Sequence, residues 1–172
     1  MNPKIINQES IILAGLSFFG DPFATKNPWN EENEIGLLWQ RLMAFMGQNG
    51  MDYKRIIAGE GVFYEVHIYH PDTKKTGEFE VYVGAEIKQV GELPVEMVIK
   101  ILPPTTYAVF CLEGEQITSD WPFMIYQEWM PQAGYSSAFS FNFQYYDHRF
   151  KGMDNLAESV IDVYVPINES PE

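Results

Sequence analysis

LLWQRLM (Leu37–Met43) is answered late in the chain by MIYQEWM (Met124–Met130). The agreement spreads outward from these two stretches. YEVH (Tyr64–His67) is matched by FQYY (Phe143–Tyr146), and EVYV (Glu80–Val83) by DVYV (Asp162–Val165). An apolar run precedes each helical stretch, Ile11–Phe19 in one case and Thr105–Leu112 in the other. The order strand, helix, strand, strand therefore occurs twice, over residues 11–88 and 103–167, with 168–172 as a polar tail. Self-similarity of this kind constrains a fold more than any local propensity. It predicts one domain over residues 1–172 of the α+β class, a pseudo-two-fold duplication of a β-α-β-β unit. The expected architecture is a curved antiparallel sheet with helices on one face and a ligand groove between the halves.

Local signals fill in the elements. Asn30, followed by Glu31, Glu32 and Glu34, predicts a helix start, because a short polar side chain caps free N–H groups and acids suit the positive dipole end. Ile35, Leu38, Leu42, Phe45 and Met46 then repeat at helical spacing. The turn-rich link HPDTKKTG (His70–Gly77) joins strands expected at 62–69 and 78–87. Residues 90–104 carry three prolines and are expected to hold at most a short strand. The second helix is expected over 118–130, with Pro122 tolerated in its first turn. Strands at 137–148 and 159–167 complete the second half.

Alternation along the strands suggests two faces. One parity collects Val66, Ile68, Phe79, Val81, Val83, Phe139, Phe141, Phe143, Ile161, Val163 and Val165, and is expected to lie beneath the helices. The other collects Glu65, His67, Glu80, Tyr82, Asn142, Gln144, Tyr146, Asp162 and Tyr164. Tyrosines interleaved with acids and amides suit a wall for a flat organic ligand, although a wet sheet face with ordinary tyrosines would read the same way.

Composition limits the function classes. The chain has 172 residues, 46% hydrophobic and 15% aromatic, enough for a sizeable core. Its formal charge of -13 disfavours direct contact with a phosphate backbone, and it fits plain solubility or attraction of a cation or a basic protein. Cys111, inside TYAVFCL, is expected to be a buried thiol. No leader segment and no membrane-length apolar run are evident, which fits a cytoplasmic location. No metal site is expected, since His67, His70 and His148 lack further ligands at suitable spacing. No phosphate-cradling loop or nucleophile elbow occurs, so neither a cofactor nor a catalytic residue is assigned. Glu65 and Glu80 could form a close carboxylate pair on neighbouring strands, or be two exposed strand glutamates. Trp129 reads as core or as a groove-edge residue, with Trp39 at the related place in the first helix.

Five stretches in order carry a wider likeness: FEVYVGAEI (Phe79–Ile87), PPTTYAVFCLEG (Pro103–Gly114), YQEWMPQAGY (Tyr126–Tyr135), FQYYDHRF (Phe143–Phe150) and IDVYVPI (Ile161–Ile167). The chain resembles the GyrI-like small-molecule-binding domain, the effector-binding domain of bacterial AraC-type and MerR-type transcription activators, across about residues 11–167. The resemblance implies a ligand groove between two β-α-β-β halves. It also implies an aromatic pocket around a buried glutamate that takes lipophilic cations, and in some members hydrolysis. At the position of the family's glutamate this chain has Gln144, while Tyr146 is retained. A glutamine hydrogen-bonds but carries no charge, so the charge would come from Glu65, at the matching place in the first half, or from Glu80.

The sequence thus predicts a stand-alone domain that binds a small aromatic or lipophilic ligand, cations included, without contacting nucleic acid or membrane. Its expected ligand-binding residues are Glu65, Glu80, Tyr82, Tyr107, Trp129, Gln144, Tyr146 and Tyr164. Its sensing or sequestering role would be tied to transcriptional regulation, with a separate regulator or a basic protein as partner. Two other readings remain. One is a hydrolase with Glu65 or Glu80 polarising water and Tyr146 donating a proton. The other is an acidic module for a basic partner, such as a DNA-associated enzyme.

Overall fold

The computed structural model of the chain describes residues 2–24 and 33–169. They form two compact units: Ser10–Pro103, here the first unit, and Met1–Glu9 with Pro104–Glu172, the second. Both are built from antiparallel strands and helices, so the α+β class read from the sequence holds.

In the first unit the elements are β2 (Ile11–Gly20), α1 (Glu34–Ile56), β3 (Phe63–Ile68), a single turn α2 (Thr73–Thr76), β4 (Phe79–Glu86) and β5 (Val98–Leu102). The strand order is β3-β4-β2-β5. The helix start expected at Asn30 lies outside the described residues. The side chain of Asn33 fills the capping role: its Oδ1 accepts the Gly36 N–H at 2.9 Å, and its carbonyl accepts the Leu37 N–H. Ile35, Leu38 and Leu42 then face Ala14, Leu16, Val81, Val83 and Ala85 in a sealed core. Strands β2 and β4 approach closely where Gly15 opposes Gly84. A Cβ at Gly15 would sit 2.0 Å from the Val83 carbonyl oxygen, so neither position has room for a side chain. The link between β3 and β4 is a true hairpin connection, closed by Thr73, whose Oγ1 accepts from His70 N–H and donates to the Glu78 carbonyl.

In the second unit β1 (Lys4–Gln8) pairs with β6 (Thr105–Glu113), which pairs with β9 (Val160–Glu169), which pairs with β8 (Phe141–Tyr146). The short β7 (Tyr135–Ser137) pairs with the end of β9, as far as Glu169. Nothing in the repeat pattern announced β1, the extra strand drawn from the start of the chain. The second helix begins later than expected. A 3-10 turn over Gly114–Thr118 comes first, and Asp120 then caps the helix by accepting the Phe123 N–H. Three segments run on as one helix, α3: Trp121–Phe123, Met124–Trp129 and Met130–Ala133. Its middle segment is π-helical, and Met130 N–H reaches back five residues to the Ile125 carbonyl. Pro131 gives the reason, since it has no N–H for the Gln127 carbonyl and its ring crowds that carbonyl in an α-helix. Gly134, at φ 73°, ends the helix.

The expected faces require correction. Alternation within each strand is as read, but the register joins opposite parities. Glu65 pairs with Val83 and His67 with Val81, while Gln144 pairs with Val163. Val81, Val83 and Val163 belong to the helix-covered cores. Glu65, His67 and Gln144 therefore lie on the helix side of their strands. Val66 pairs with Tyr82 and Phe143 with Tyr164, on the other side. Cys111 is exposed rather than buried, because it falls on the outward parity of β6. Partial desolvation at the strand surface and the nearby Asp162 and Glu113 carboxylates raise its pKa, so its thiol is not activated. Among the described residues no helix is long and apolar enough to cross a membrane.

Candidate functional site

Each unit carries a polar cluster between its helix and its strands. In the first, β3 directs Glu65 and His67 to the helix side, two residues apart on one face. The Glu65 carboxylate is 2% exposed. Its Oε1 accepts from His67 Nε2–H at 2.8 Å, and its Oε2 accepts from the Trp39 indole N–H at 2.5 Å. Trp39 comes from α1, one residue beyond the buried Leu38, which brings its ring over Phe63 and its N–H to the carboxylate. Phe79 contacts the His67 ring at 5.3 Å. A carboxylate removed from water is strongly disfavoured unless its oxygens receive donors, and here both do.

In the second unit the same spacing recurs in neutral form. Gln144 is fully buried, and its Oε1 accepts from the Tyr146 hydroxyl at 2.9 Å. The Asn142 side-chain amide donates to the Tyr126 hydroxyl at 3.0 Å, and Tyr126 rides on the π-helical segment of α3. Tyr146 packs edge-on against Phe150.

The remaining candidates separate from these clusters. Glu80 pairs with Ile68 across the hairpin and so lies on the opposite side from Glu65; of the two readings above, a close carboxylate pair does not form, and Glu65 is buried rather than exposed. Glu80 instead holds Lys100 at 2.8 Å, beside Tyr82, whose hydroxyl donates to the Val98 carbonyl. Tyr82 and Tyr164 lie on the sides of their strands away from the helices, and Tyr146 lies on the helix side, so a tyrosine wall on one face is overturned by the register. Tyr164 stacks on Phe143 at 4.4 Å, with Tyr107 edge-on to both. Burial, then the charge of Asp162, raises the pKa of Tyr164, and burial raises that of Tyr107. The Tyr107 hydroxyl has no hydrogen-bond partner among the described residues. Nearby, Arg149 clamps Asp147 and Asp162. Burial acts to raise the Asp147 pKa, but the Arg149 hydrogen bonds outweigh it and hold that carboxyl below its usual value. Trp129 is half-buried at the edge of the second unit's core, stacked on Tyr135 and edge-on to Phe110.

An open depression of about 450 Å³ lies along the flank of α1 beside Phe18 of β2, and none of the Glu65 cluster's polar atoms lines it. It is lined by Phe18, Leu37, Leu38 and Ala44 with Glu34, Gln40 and Arg41. Its walls offer no buried acceptor, so it lacks the chemistry of the enclosed cluster.

Trp39, His67, Tyr126 and Asn142 were not among the ligand-binding residues expected from sequence, although His67 and Asn142 were placed on the polar strand face. A signal for two of them was present: Trp39 and Tyr126 occupy the same place in the two helical stretches, each an aromatic ring with a polar tip. Trp39 is therefore the counterpart of Tyr126, not of Trp129.

Comparison with known proteins gives the chain its family. It belongs to the family described as Cass2, integron-associated effector binding protein, whose model matches residues 4–167. The transcriptional regulator BrlR of Pseudomonas aeruginosa is 27% identical over 172 residues, covering 97% of this chain and 56% of the regulator. The chain thus spans about half the length of that curated relative. Two solved structures share the fold. The EcmrR C-terminal domain has a TM-score of 0.66 at 12% identity, covering 96% of each chain. SAV2435 bound to tetraphenylphosphonium has a TM-score of 0.61 at 14% identity, covering 98% of this chain and 94% of the other.

Proposed function

We propose that this member of the effector-binding family takes a small lipophilic, aromatic cation, and that Glu65 supplies the charge that recognises it. The observation that carries the reading is the buried Glu65 carboxylate, with one oxygen on the Trp39 indole and the other on His67. A carboxylate is an expensive choice for helix–strand packing, since apolar residues of similar volume serve as well or better. Its presence fits a ligand that brings the opposite charge. Trp39, Phe63, Tyr69 and Phe79 gather aromatic rings around the same place, and aromatic faces attract cations. The ligand seen on SAV2435 is of this class. Because Glu65 is almost sealed, entry requires the Trp39 side chain to swing off the carboxylate. Ligand occupancy would then be read by transcription machinery, as the kinship with BrlR and EcmrR suggests.

Thermal unfolding with and without tetraphenylphosphonium tests the reading. A ligand at a hundred times its dissociation constant adds about 2.7 kcal/mol to stability, a readily visible rise in Tm. Glu65→Gln keeps the size and one of the two acceptor oxygens but removes the charge, and is expected to weaken binding at least about tenfold, or ~1.4 kcal/mol. Unchanged affinity in that variant removes Glu65 as the recognition group.

A further inference from the structure

We propose that the exposed flank of α1 pairs with the same flank of a second copy of this chain, the two helices running antiparallel. The pairing goes beyond the ligand reading and does not depend on it. Glu34, Leu37, Arg41 and Ala44 recur at intervals of three and four residues, so they line one stripe of the helix. That stripe walls the open depression beside Phe18. Leu37, midway between the two charged residues, is 41% exposed, an apolar side chain left in water.

Charge selects the occupant and its direction. Acidic residues outnumber basic ones 24 to 11, so most of one copy's surface repels another copy. The exposed positions of α1 from Glu34 to Gln48 differ: Glu34 is their one acid and Arg41 their one base. Among the described residues neither enters a salt bridge, whereas Lys75, Lys100 and Arg149 are each tied to a carboxylate of the same chain. Glu34 and Arg41 are seven residues apart, about two turns or ~10.5 Å along the helix. A second α1 laid antiparallel, with the two-fold axis at Leu37, sets Glu34 of each copy against Arg41 of the other, and this contact occurs twice. The two Leu37 side chains then cover each other on the axis. A parallel copy would instead set Glu34 against Glu34 and Arg41 against Arg41. One helix flank is a small interface, so the dissociation constant is expected at about 10–100 μM.

Sedimentation velocity of the full chain, from about 1 to about 500 μM, tests this. A reversible equilibrium between monomer and dimer is expected. Glu34→Arg or Arg41→Glu alone brings like charges together at both contacts and is expected to weaken association at least about tenfold. An equimolar mixture of the two variants restores opposite charges at both contacts, and is expected to associate about as well as the unmodified chain. Leu37→Ser, at an exposed position, is expected to abolish the dimer while the chain still unfolds in a cooperative thermal transition. That variant keeps the test decisive if a reversed charge at the helix start prevents folding. A monomer at every concentration of the unmodified chain overturns the proposal, whatever else covers the stripe. A dimer indifferent to Leu37→Ser, or folded charge variants that do not recover on mixing, also overturns it, by assigning the contact to another surface.

Discussion

Glu65 with His67 in the first unit and Gln144 with Tyr146 in the second are the same device in two electrical forms. Both pairs sit two residues apart on a strand, on the side facing a helix, joined by one short hydrogen bond. Both have a polar-tipped ring on the helix within the cluster, Trp39 in one and Tyr126 in the other. Yet one cluster is built around a carboxylate and the other around amides and hydroxyls. The neutral version shows that this kind of helix–strand layer needs hydrogen-bond matching but no charge. The charge at Glu65 is therefore surplus to packing, which is the physical ground for giving it a ligand.

Exchanging the chemistry of the two clusters gives the largest expected effect. Gln144→Glu places a carboxylate at a fully buried site where Tyr146 offers one neutral donor. It is expected to cost about 2–4 kcal/mol at pH 7.5. The folded-state pKa of the new group would be raised by burial. The penalty is then full above that value and shrinks as pH falls through it, so urea unfolding at pH 7.5 and 4.5 should show it fading in acid. An equal loss at both pH values would mean that shape, not charge, distinguishes the clusters.

A smaller effect is expected from Trp39→Phe, which keeps a ring but removes the donor to Glu65 Oε2. Losing a hydrogen bond to a buried charged group costs about 1.5–3 kcal/mol. Tyr126→Phe removes a partner of a neutral amide and should cost about 1 kcal/mol. Chemical denaturation of the two variants side by side measures the difference, and equal costs would erase the distinction between a charged and a neutral cluster.

The smallest effects compare hydroxyls within the second unit. Tyr146→Phe deletes a hydroxyl that donates to Gln144 and should destabilise by about 1 kcal/mol. Tyr107→Phe deletes a buried hydroxyl with no partner among the described residues and should be neutral or stabilising by up to about 1 kcal/mol. Differential scanning calorimetry reads both signs. A clear loss in Tyr107→Phe would show that its hydroxyl is satisfied in solution.

Much of this was legible in the residues. The helix repeat of Ile35, Leu38 and Leu42 reports its own buried stripe, because helical spacing is a local property. The hairpin through Thr73 and Gly77 follows from turn chemistry that acts over a few residues. Gln144 and Glu65 stood out because their positions match between the halves. The π-helical step in α3 was less visible, since Pro131 breaks the hydrogen-bond pattern of residues before it rather than ending the helix.

The strand–helix–strand–strand order of each unit, though not the added β1, and the alternation along each strand were determined by the sequence alone, because both depend on neighbours in the chain. Which alternating set meets the helix depended on pairing between strands, where a shift of one residue sends every side chain to the other side. Tertiary structure made that choice, setting Glu65 opposite Val83 and Gln144 opposite Val163. It thereby put polar residues that read as a wall for a ligand on the open face under the helices instead, where each had to find a partner.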